Sequence, residues 1–205
     1  MNKATKTYFI ADTHFGHENV IKFSDRPFDS LAEMEKVLTE NWNSRVTPDD
    51  DIYIIGDFAW RATHNHLIKI IRNLNGRKHL IMGNHDRKYL EFDDFRAEFV
   101  EIEKSLEIKL DGEHIVLCHY PIAEWHQQHR GSWHIHGHIH NRKDDTFLFL
   151  RNKEKALNAG VDINNYMPVT FEELITNNNQ FKMSANLTKA DCLAARPSYP
   201  YRGFD

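Results

Sequence analysis

Four short, β-prone apolar runs each end at a side chain that can bind a metal ion, and this pattern constrains the fold most. The metal-binding side chain follows its run directly or after one glycine. The runs are Thr7–Ala11 before Asp12, Ile52–Ile55 before Asp57, His79–Met82 before Asn84, and Ile115–Cys118 before His119. In α/β sheets, ligands gather beyond the carboxyl ends of the strands. We therefore expect these distant residues to converge at one sheet edge.

Helical patterns separate the runs, as expected of an α/β fold. Ser30 and Glu33 form a capping-box pattern at the start of one helix, and Thr170 begins a similar pattern near the end of the chain. Two apolar stripes at helical spacing are Leu31, Met34, Leu38, Trp42, and Leu67, Ile70, Ile71, Leu74. Gly76 then marks the C-terminal stop of the second helix.

The middle of the chain changes to strand-like alternation. Residues 102–110 alternate in character, and Asp111-Gly112 separates them from the apolar run that begins at Ile115. This arrangement predicts a β-hairpin with a tight turn. A further strand is predicted over Leu157–Val161.

The length of 205 residues fits one domain of ordinary size. We expect that domain over residues 1–176 and a polar C-terminal tail of uncertain structure over residues 177–205. No apolar run approaches the roughly 20 residues that cross a bilayer, so no membrane association is expected. The polar start of the chain lacks the apolar core of a signal peptide, which favours a cytoplasmic protein.

Five short blocks carry the candidate chemistry. Each alone is common: Asp12-x-His14 is a typical strand-end turn, and Asn84 could cap a helix. In a chain with 14 histidines, however, the ordered combination makes the ordinary interpretation improbable. The blocks are Asp12-Thr13-His14, Gly56-Asp57, Gly83-Asn84-His85-Asp86, His119-Tyr120-Pro121 and Gly137-His138-Ile139-His140. By the period of two, His138 and His140 are expected on one face of a strand.

The ordered series D-x-H, G-D, G-N-H-D, H and G-H-x-H resembles the calcineurin-like metallophosphoesterases. It is most similar to the small single-domain bacterial and phage members that carry D-T-H-F-G-H near the N-terminus, here Asp12–His17. The resemblance implies an α/β fold, a calcineurin-like layered β-sandwich with mixed sheets flanked by helices, over most of residues 5–176.

The same resemblance implies two divalent metal ions bridged by Asp57. The first ion would be held by Asp12, His14, Asp57 and His140, and the second by Asp57, Asn84, His119 and His138. Mixed carboxylate, amide and imidazole ligands suit borderline or hard ions. Mn²⁺ is the favoured ion, with Fe²⁺, Zn²⁺, Ni²⁺ or Mg²⁺ as alternatives.

His85 matches the family's catalytic histidine, and Asp86 would orient it. The implied activity is hydrolysis of small phosphomonoesters or phosphodiesters, nucleotides among them, by attack of a metal-bound hydroxide. The Ser/Thr protein phosphatases differ at two places, because Phe58–Arg61 replaces their x-x-D-R-G and Asp86 replaces their Glu. Protein phosphatase activity is therefore not expected.

Three other functions share features with this sequence. A metallo-β-lactamase-like hydrolase needs an Asp that the His134–His138 segment lacks. A module that binds duplex nucleic acid needs a basic face, whereas the net charge is −4. A non-catalytic metal-binding scaffold of the same fold stays open, although no matched ligand position is substituted.

Other residues near the blocks have open roles. Contact with substrate phosphate and ordinary surface or capping roles are equally compatible with His17, Asn19 and Arg26. A loop position beside the cleft is one interpretation of His126, His129 and His134. His64 and His66 begin a helix, where exposure is the simpler interpretation.

Overall fold

Two four-stranded β-sheets form the centre of the protein, in a computed structural model that describes residues 5–184. The first sheet consists of the parallel strands β1 (Thr7–Ile10), β2 (Asp51–Ile54), β3 (Arg77–Ile81) and β4 (Phe99–Glu103), in that order. The second consists of β5 (Ser105–Leu110), β6 (Glu113–Cys118), β7 (Trp133–His136) and β8 (Ala156–Asn158). It is mixed, because β5 and β6 are antiparallel and the other pairs are parallel.

Helices cover the outer faces of the sheets. They are α1 (Glu18–Phe23), α2 (Leu31–Arg45), α3 (His64–Asn73), α4 (Asp93–Arg96), α5 (Asp145–Leu150) and α6 (Phe171–Met183). Short 3₁₀ turns occur at Arg87–Glu91, Gln128–Arg130 and Val161–Ile163. The predicted caps are present, since Ser30 accepts from the Glu33 amide and Thr170 forms a capping box with Glu173. Within residues 5–184, no helix has the length and apolarity needed to span a bilayer.

Three buried apolar clusters define the layers. One lies between the first sheet and helices α2 and α3, where Ile52 and Ile54 meet Trp42. A second lies between the two sheets and includes Phe9 and Leu117. The third covers the outer face of the second sheet. The layered α/β arrangement expected from the sequence is confirmed.

The alternating stretch predicted as one hairpin strand is divided between the sheets. Residues up to Glu103 form β4, which pairs with β3, whereas β5 begins at Ser105 and pairs with β6. Lys104 alone connects them. Alternation of apolar and polar residues shows which side chains share a face of a sheet. It does not show which neighbouring strand forms the hydrogen bonds, so the sequence does not reveal the change of sheet.

The strand predicted through His138 and His140 is wrong. Strand β7 ends at His136, and both later histidines have left-handed backbone, with φ of 71° and 52°. They converge through a loop and not through strand periodicity. The later strand is also shorter than predicted, because β8 ends at Asn158 and Val161 begins a 3₁₀ turn.

Helix α6 continues to Met183, past the expected domain boundary at 176. Asn178 is buried, and its side chain bonds both the amide and the carbonyl of Asn158. Lys182 donates to the carbonyls of Lys153 and Ala156. The polar composition therefore reflects satisfied hydrogen bonds between helix and sheet. The remainder of the predicted tail, residues 185–205, lies outside the described residues.

Candidate metal centre

The ends of five strands bring the predicted ligands to one edge of the two sheets. They form two groups, and within each group the potential ligand atoms all lie within 4.8 Å of one another. The groups are Asp12, His14 and His140, and Asp57, His119 and His138. The first joins the end of β1 to the loop after β7, so each sheet contributes. The assignment of these residues as ligands stays a prediction.

Asp57 belongs to the second group and also approaches the first. Its Oδ2 atom is 3.7 Å from Nε2 of His14 in the first group and 3.5 Å from Nε2 of His119 in the second. Asn84 belongs to the second group by position, because its Oδ1 atom lies 3.2 Å from His119 Nε2 and 3.1 Å from His138 Nδ1. The bridging role of Asp57 and the second-ion role of Asn84, which the resemblance implies, stay predictions.

Left-handed backbone marks the site. Five of the seven candidate ligands have φ between 52° and 71°. They are Asp12, His14, Asp57, His138 and His140. Asp, Asn and His tolerate this region better than other residues with a Cβ atom. Such conformations cluster at functional sites, where the surrounding structure maintains them against an energetic cost.

Two glycines of the motifs are required by close approach. A Cβ atom on Gly83 would overlap the carboxylate and backbone nitrogen of Asp57, and one on Gly56 would overlap the His119 ring. Gly56 also has φ of 79°, a conformation that favours glycine. The glycines in G-D and G-N-H-D thus allow the loops after β2 and β3 to pack against the ligands.

The charges at the site fit a divalent cation. Asp12 and Asp57 are buried, and burial raises the pKa of the Asp12 carboxyl. Burial lowers the pKa of the His119 imidazole, but its hydrogen bond with Asp57 and the nearby carboxylates outweigh burial and raise it to about 9. Two buried carboxylates beside several imidazoles provide the negative charge that a divalent cation would balance. The carboxylate oxygens and imidazole nitrogens of the site suit Mn²⁺, Fe²⁺ or Zn²⁺.

Asp162, which the sequence analysis missed, hydrogen-bonds His140 on the ring nitrogen that faces away from His14. Asp162 Oδ2 lies 2.9 Å from His140 Nδ1, while His140 Nε2 lies 3.2 Å from His14 Nε2. Such a carboxylate orients a ligand imidazole and increases its basicity. The pattern that identified other residues of the site, a metal-binding side chain after a β-prone run, also applies to Asp162 after the Leu157–Val161 run.

Arg26 has a structural role. It is buried and pairs with Asp162 at 2.8 Å, and it donates to the carbonyls of Asp12 and Thr13. These contacts fix the loop that carries Asp12 and His14. The structure thus supports a capping role for Arg26 at backbone carbonyls, and not contact with substrate.

His85 lies beside the two groups. Its Nε2 atom is 3.8 Å from Asp57 Oδ2, and its ring centroid is 4.1 Å from that of Trp60. Burial lowers the pKa of this imidazole. Its backbone amide donates to Asp57 Oδ1 at 3.0 Å, which couples its position to the central carboxylate.

The expected contact between Asp86 and the His85 ring is absent among residues 5–184. The buried Asp86 carboxylate instead accepts hydrogen bonds from the backbone amides of Asp57, Phe58 and Gly83. Burial raises the pKa of this carboxyl to about 6. Asp86 therefore ties the loop after β2 to the loop after β3, and Trp60 packs against the His85 ring.

Comparison with known proteins decides the family. The family model for the calcineurin-like phosphoesterase superfamily domain matches residues 6–161. The chain belongs to this superfamily. An uncharacterized protein of Methanocaldococcus jannaschii is 34% identical over 171 residues, covering 83% of this chain and 89% of the relative. The gene 66 protein of Mycobacterium phage L5 is 27% identical over 184 residues, covering 77% of this chain and 87% of the relative.

A solved structure supports the same fold. A protein of unknown function from Aquifex aeolicus matches with a TM-score of 0.68 and 29% identity, over 84% of this chain and 99% of that chain. The resemblance inferred from the five blocks, including its phage relatives, is confirmed. The predicted fold class is confirmed as well.

An open cleft of about 840 Å³ lies over the candidate ligands. His17 and Asn19 line it together with His85, and Trp60-Arg61 and Arg142-Lys143 are among its other lining residues. His126, His129 and His134, for which a position beside the cleft was one interpretation, do not line it. His134 is buried in β7, where its ring bonds the Val116 carbonyl and the Ile122 amide. His64 and His66 begin α3, as expected.

Proposed function

We propose that this calcineurin-like phosphoesterase is an active, dinuclear metal-dependent hydrolase of small phosphomonoesters or phosphodiesters, nucleotides among them. The observation that supports the proposal is the position of Asp57. Its carboxylate lies 3.5–3.8 Å from histidines of both ligand groups and from His85. One residue thus connects both proposed ions to the proposed catalytic histidine. Mn²⁺ is the favoured ion, with Fe²⁺, Zn²⁺, Ni²⁺ or Mg²⁺ as alternatives.

The bound ions would supply Lewis acidity to the phosphate and activate a water molecule. The protein's own contribution is position. His85 lines the cleft. Its ring packs against Trp60, and its backbone amide donates a hydrogen bond to the Asp57 carboxylate. An N–H of its imidazole can donate to a phosphoryl oxygen or to the leaving-group oxygen. Arg61 and Arg142 line the same cleft and attract an anionic ester.

The test is hydrolysis of p-nitrophenyl phosphate and bis-p-nitrophenyl phosphate by protein stripped of metal and then reloaded. Chelation is expected to abolish turnover, and Mn²⁺ is expected to restore it at least as well as Mg²⁺, because imidazole-rich sites favour the softer ion. Full activity after exhaustive EDTA treatment would contradict the metal-dependent mechanism. No turnover of either ester by metal-loaded protein would favour the non-catalytic scaffold.

The proposal extends to partners and location. The partner is a small phosphoester in the cytoplasm, without stable binding of duplex nucleic acid, because a net charge of −4 provides no basic face for the duplex. A mobility-shift assay at low salt is expected to show no stable duplex complex. Fractionation of cells that express the tagged protein is expected to place it in the soluble fraction.

A further inference from the structure

A third group of metal-binding side chains lies away from the cleft. Glu107 is on β5, His114 is on β6, and His126 is in the loop between β6 and β7. Glu107 Oε2 is 2.9 Å from His114 Nε2 and 2.9 Å from His126 Nδ1, and the three potential ligand atoms lie within 4.8 Å of one another. None of the three residues lines the cleft.

We propose that Glu107, His114 and His126 form a binding site for zinc or a similar transition-metal ion, separate from the candidate metal centre. Two imidazoles and one carboxylate are a common protein ligand set for zinc. Zn–ligand bonds of about 2.1 Å place neighbouring tetrahedral ligand atoms roughly 3.4 Å apart, so each 2.9 Å contact of Glu107 with a histidine needs to lengthen by only about 0.5 Å. The side chains of Glu107 and His126 are 45% and 59% exposed, which leaves room for water as the fourth ligand.

The hairpin preorganises two of the three ligands. In the register of β5 and β6, Glu107 lies opposite Val116, two residues from His114. Glu107 and His114 are therefore diagonal neighbours on the outer face of the sheet, within the range of long side chains. Because the strands are hydrogen-bonded along their full length, these ligands approach each other without backbone rearrangement.

The third ligand comes from a loop that is anchored on the same face. Trp125 is buried in the apolar cluster that contains Val116, and its Nε1 atom donates to the Ser132 carbonyl. Ser132 Oγ donates to the His126 carbonyl at 2.6 Å. These contacts hold His126 above Glu107, so an ion gains three ligands with little ordering cost. A bound ion would fasten the loop that begins after His119 to the edge strand β5.

Zinc content measures the site directly. We compare the wild-type protein with His114→Asn, His126→Asn and Glu107→Gln after equilibrium dialysis at fixed free Zn²⁺, using elemental analysis. His64→Asn is the matched control, because His64 is also a partly exposed histidine paired with one carboxylate, Asp94, at 2.8 Å. Each of the three variants is expected to lose one zinc equivalent, or to need at least about tenfold more free zinc to retain it. The control is expected to keep the wild-type content.

Amide hydrogen exchange provides a local readout. Zn²⁺ is expected to protect amides of residues 122–132 in the wild type and in His64→Asn, but not in His114→Asn, His126→Asn or Glu107→Gln. Unchanged zinc content and unchanged protection in all three variants would overturn the proposal. Hydrolysis with Mn²⁺ is expected to be unaffected in His114→Asn, since His114 does not line the cleft. Failure of the zinc site would therefore leave the proposed function standing, and the reverse also holds.

Discussion

At the scale of single residues, Asp57 differs from the other candidate ligands because it approaches both groups. Replacing it with Asn removes a negative charge from both positions, whereas His140→Ala removes one ligand from the first group. We therefore expect Asp57→Asn to weaken binding of two ions and His140→Ala to weaken mainly one. Metal content after dialysis at fixed Mn²⁺ measures this. Two tightly bound ions per chain in Asp57→Asn would disprove the bridging role.

Substitution of His85 is predicted to lower the rate of hydrolysis without changing metal binding. Its side chain is not part of either ligand group, so His85→Asn is expected to retain normal metal content. Loss of the imidazole donor is expected to lower kcat by about 10²–10⁴. Steady-state kinetics with matched elemental analysis measure both properties. Loss of the metals, or near-normal kcat on every substrate, would exclude this role.

The leaving group distinguishes two functions of His85. If the imidazole protonates the leaving oxygen, His85→Asn is expected to affect p-nitrophenyl esters least, since p-nitrophenolate needs little protonation. Esters of poor leaving groups are expected to lose more. If the imidazole only stabilises the phosphoryl oxygens, both kinds of ester lose activity equally.

At the scale of elements, the sequence predicted the features that depend on neighbouring residues, namely where strands end and where helices begin. Strand ends before Asp12, Asp57 and His119 follow from apolar runs, and helix starts at Ser30 and Thr170 follow from capping chemistry. The change of sheet at Lys104 did not follow, because strand pairing is a long-range choice and alternation is the same in either sheet.

The side-chain contacts of the site were also not predictable where the partners are distant in sequence. The family resemblance implied that Asp86 orients His85, yet its carboxylate accepts hydrogen bonds from amides on two loops. The contacts of Asp162 were not predicted, because its partners, His140 and Arg26, are 22 and 136 residues away in sequence. Motif spacing identified which residues meet, whereas their supporting contacts required the tertiary structure.

Helix α6 supports a prediction at this scale. Asn178 bonds the amide and carbonyl of Asn158, and Asn158 in turn donates to the His140 carbonyl. Asn178→Ala leaves the buried Asn158 amide without a partner, at a cost of about 1–3 kcal/mol, and removes one of the two side-chain donors to the Asn158 carbonyl, which keeps Asn164. Urea denaturation is expected to show this loss of unfolding free energy. The exposed neighbour provides the control, since Asn179→Ala is expected to change stability by less than about 0.5 kcal/mol. Equal effects of the two substitutions would contradict the buried network.

At the scale of the whole molecule, the candidate metal centre joins the two sheets. Asp12, His14, Asp57 and Asn84 follow strands of the first sheet, whereas His119, His138 and His140 follow strands of the second. An ion in either group would therefore hold ligands from both sheets. Metal binding would then stabilise the packing of one sheet on the other, in addition to any role in hydrolysis.

This arrangement predicts that Mn²⁺ raises the midpoint of thermal unfolding. One ion at a free concentration 100 times its Kd stabilises the native state by about 2.7 kcal/mol. For a chain of this length, that corresponds to an increase in Tm of roughly 5–10 °C. Scanning calorimetry with EDTA, and then with graded Mn²⁺, measures the shift. Asp57→Asn is expected to reduce it, because the buried carboxylate between the two groups is lost, whereas His114→Asn on the outer face is expected to retain it. A Tm independent of Mn²⁺, or a full shift in Asp57→Asn, would show that the ions do not join the sheets through this centre.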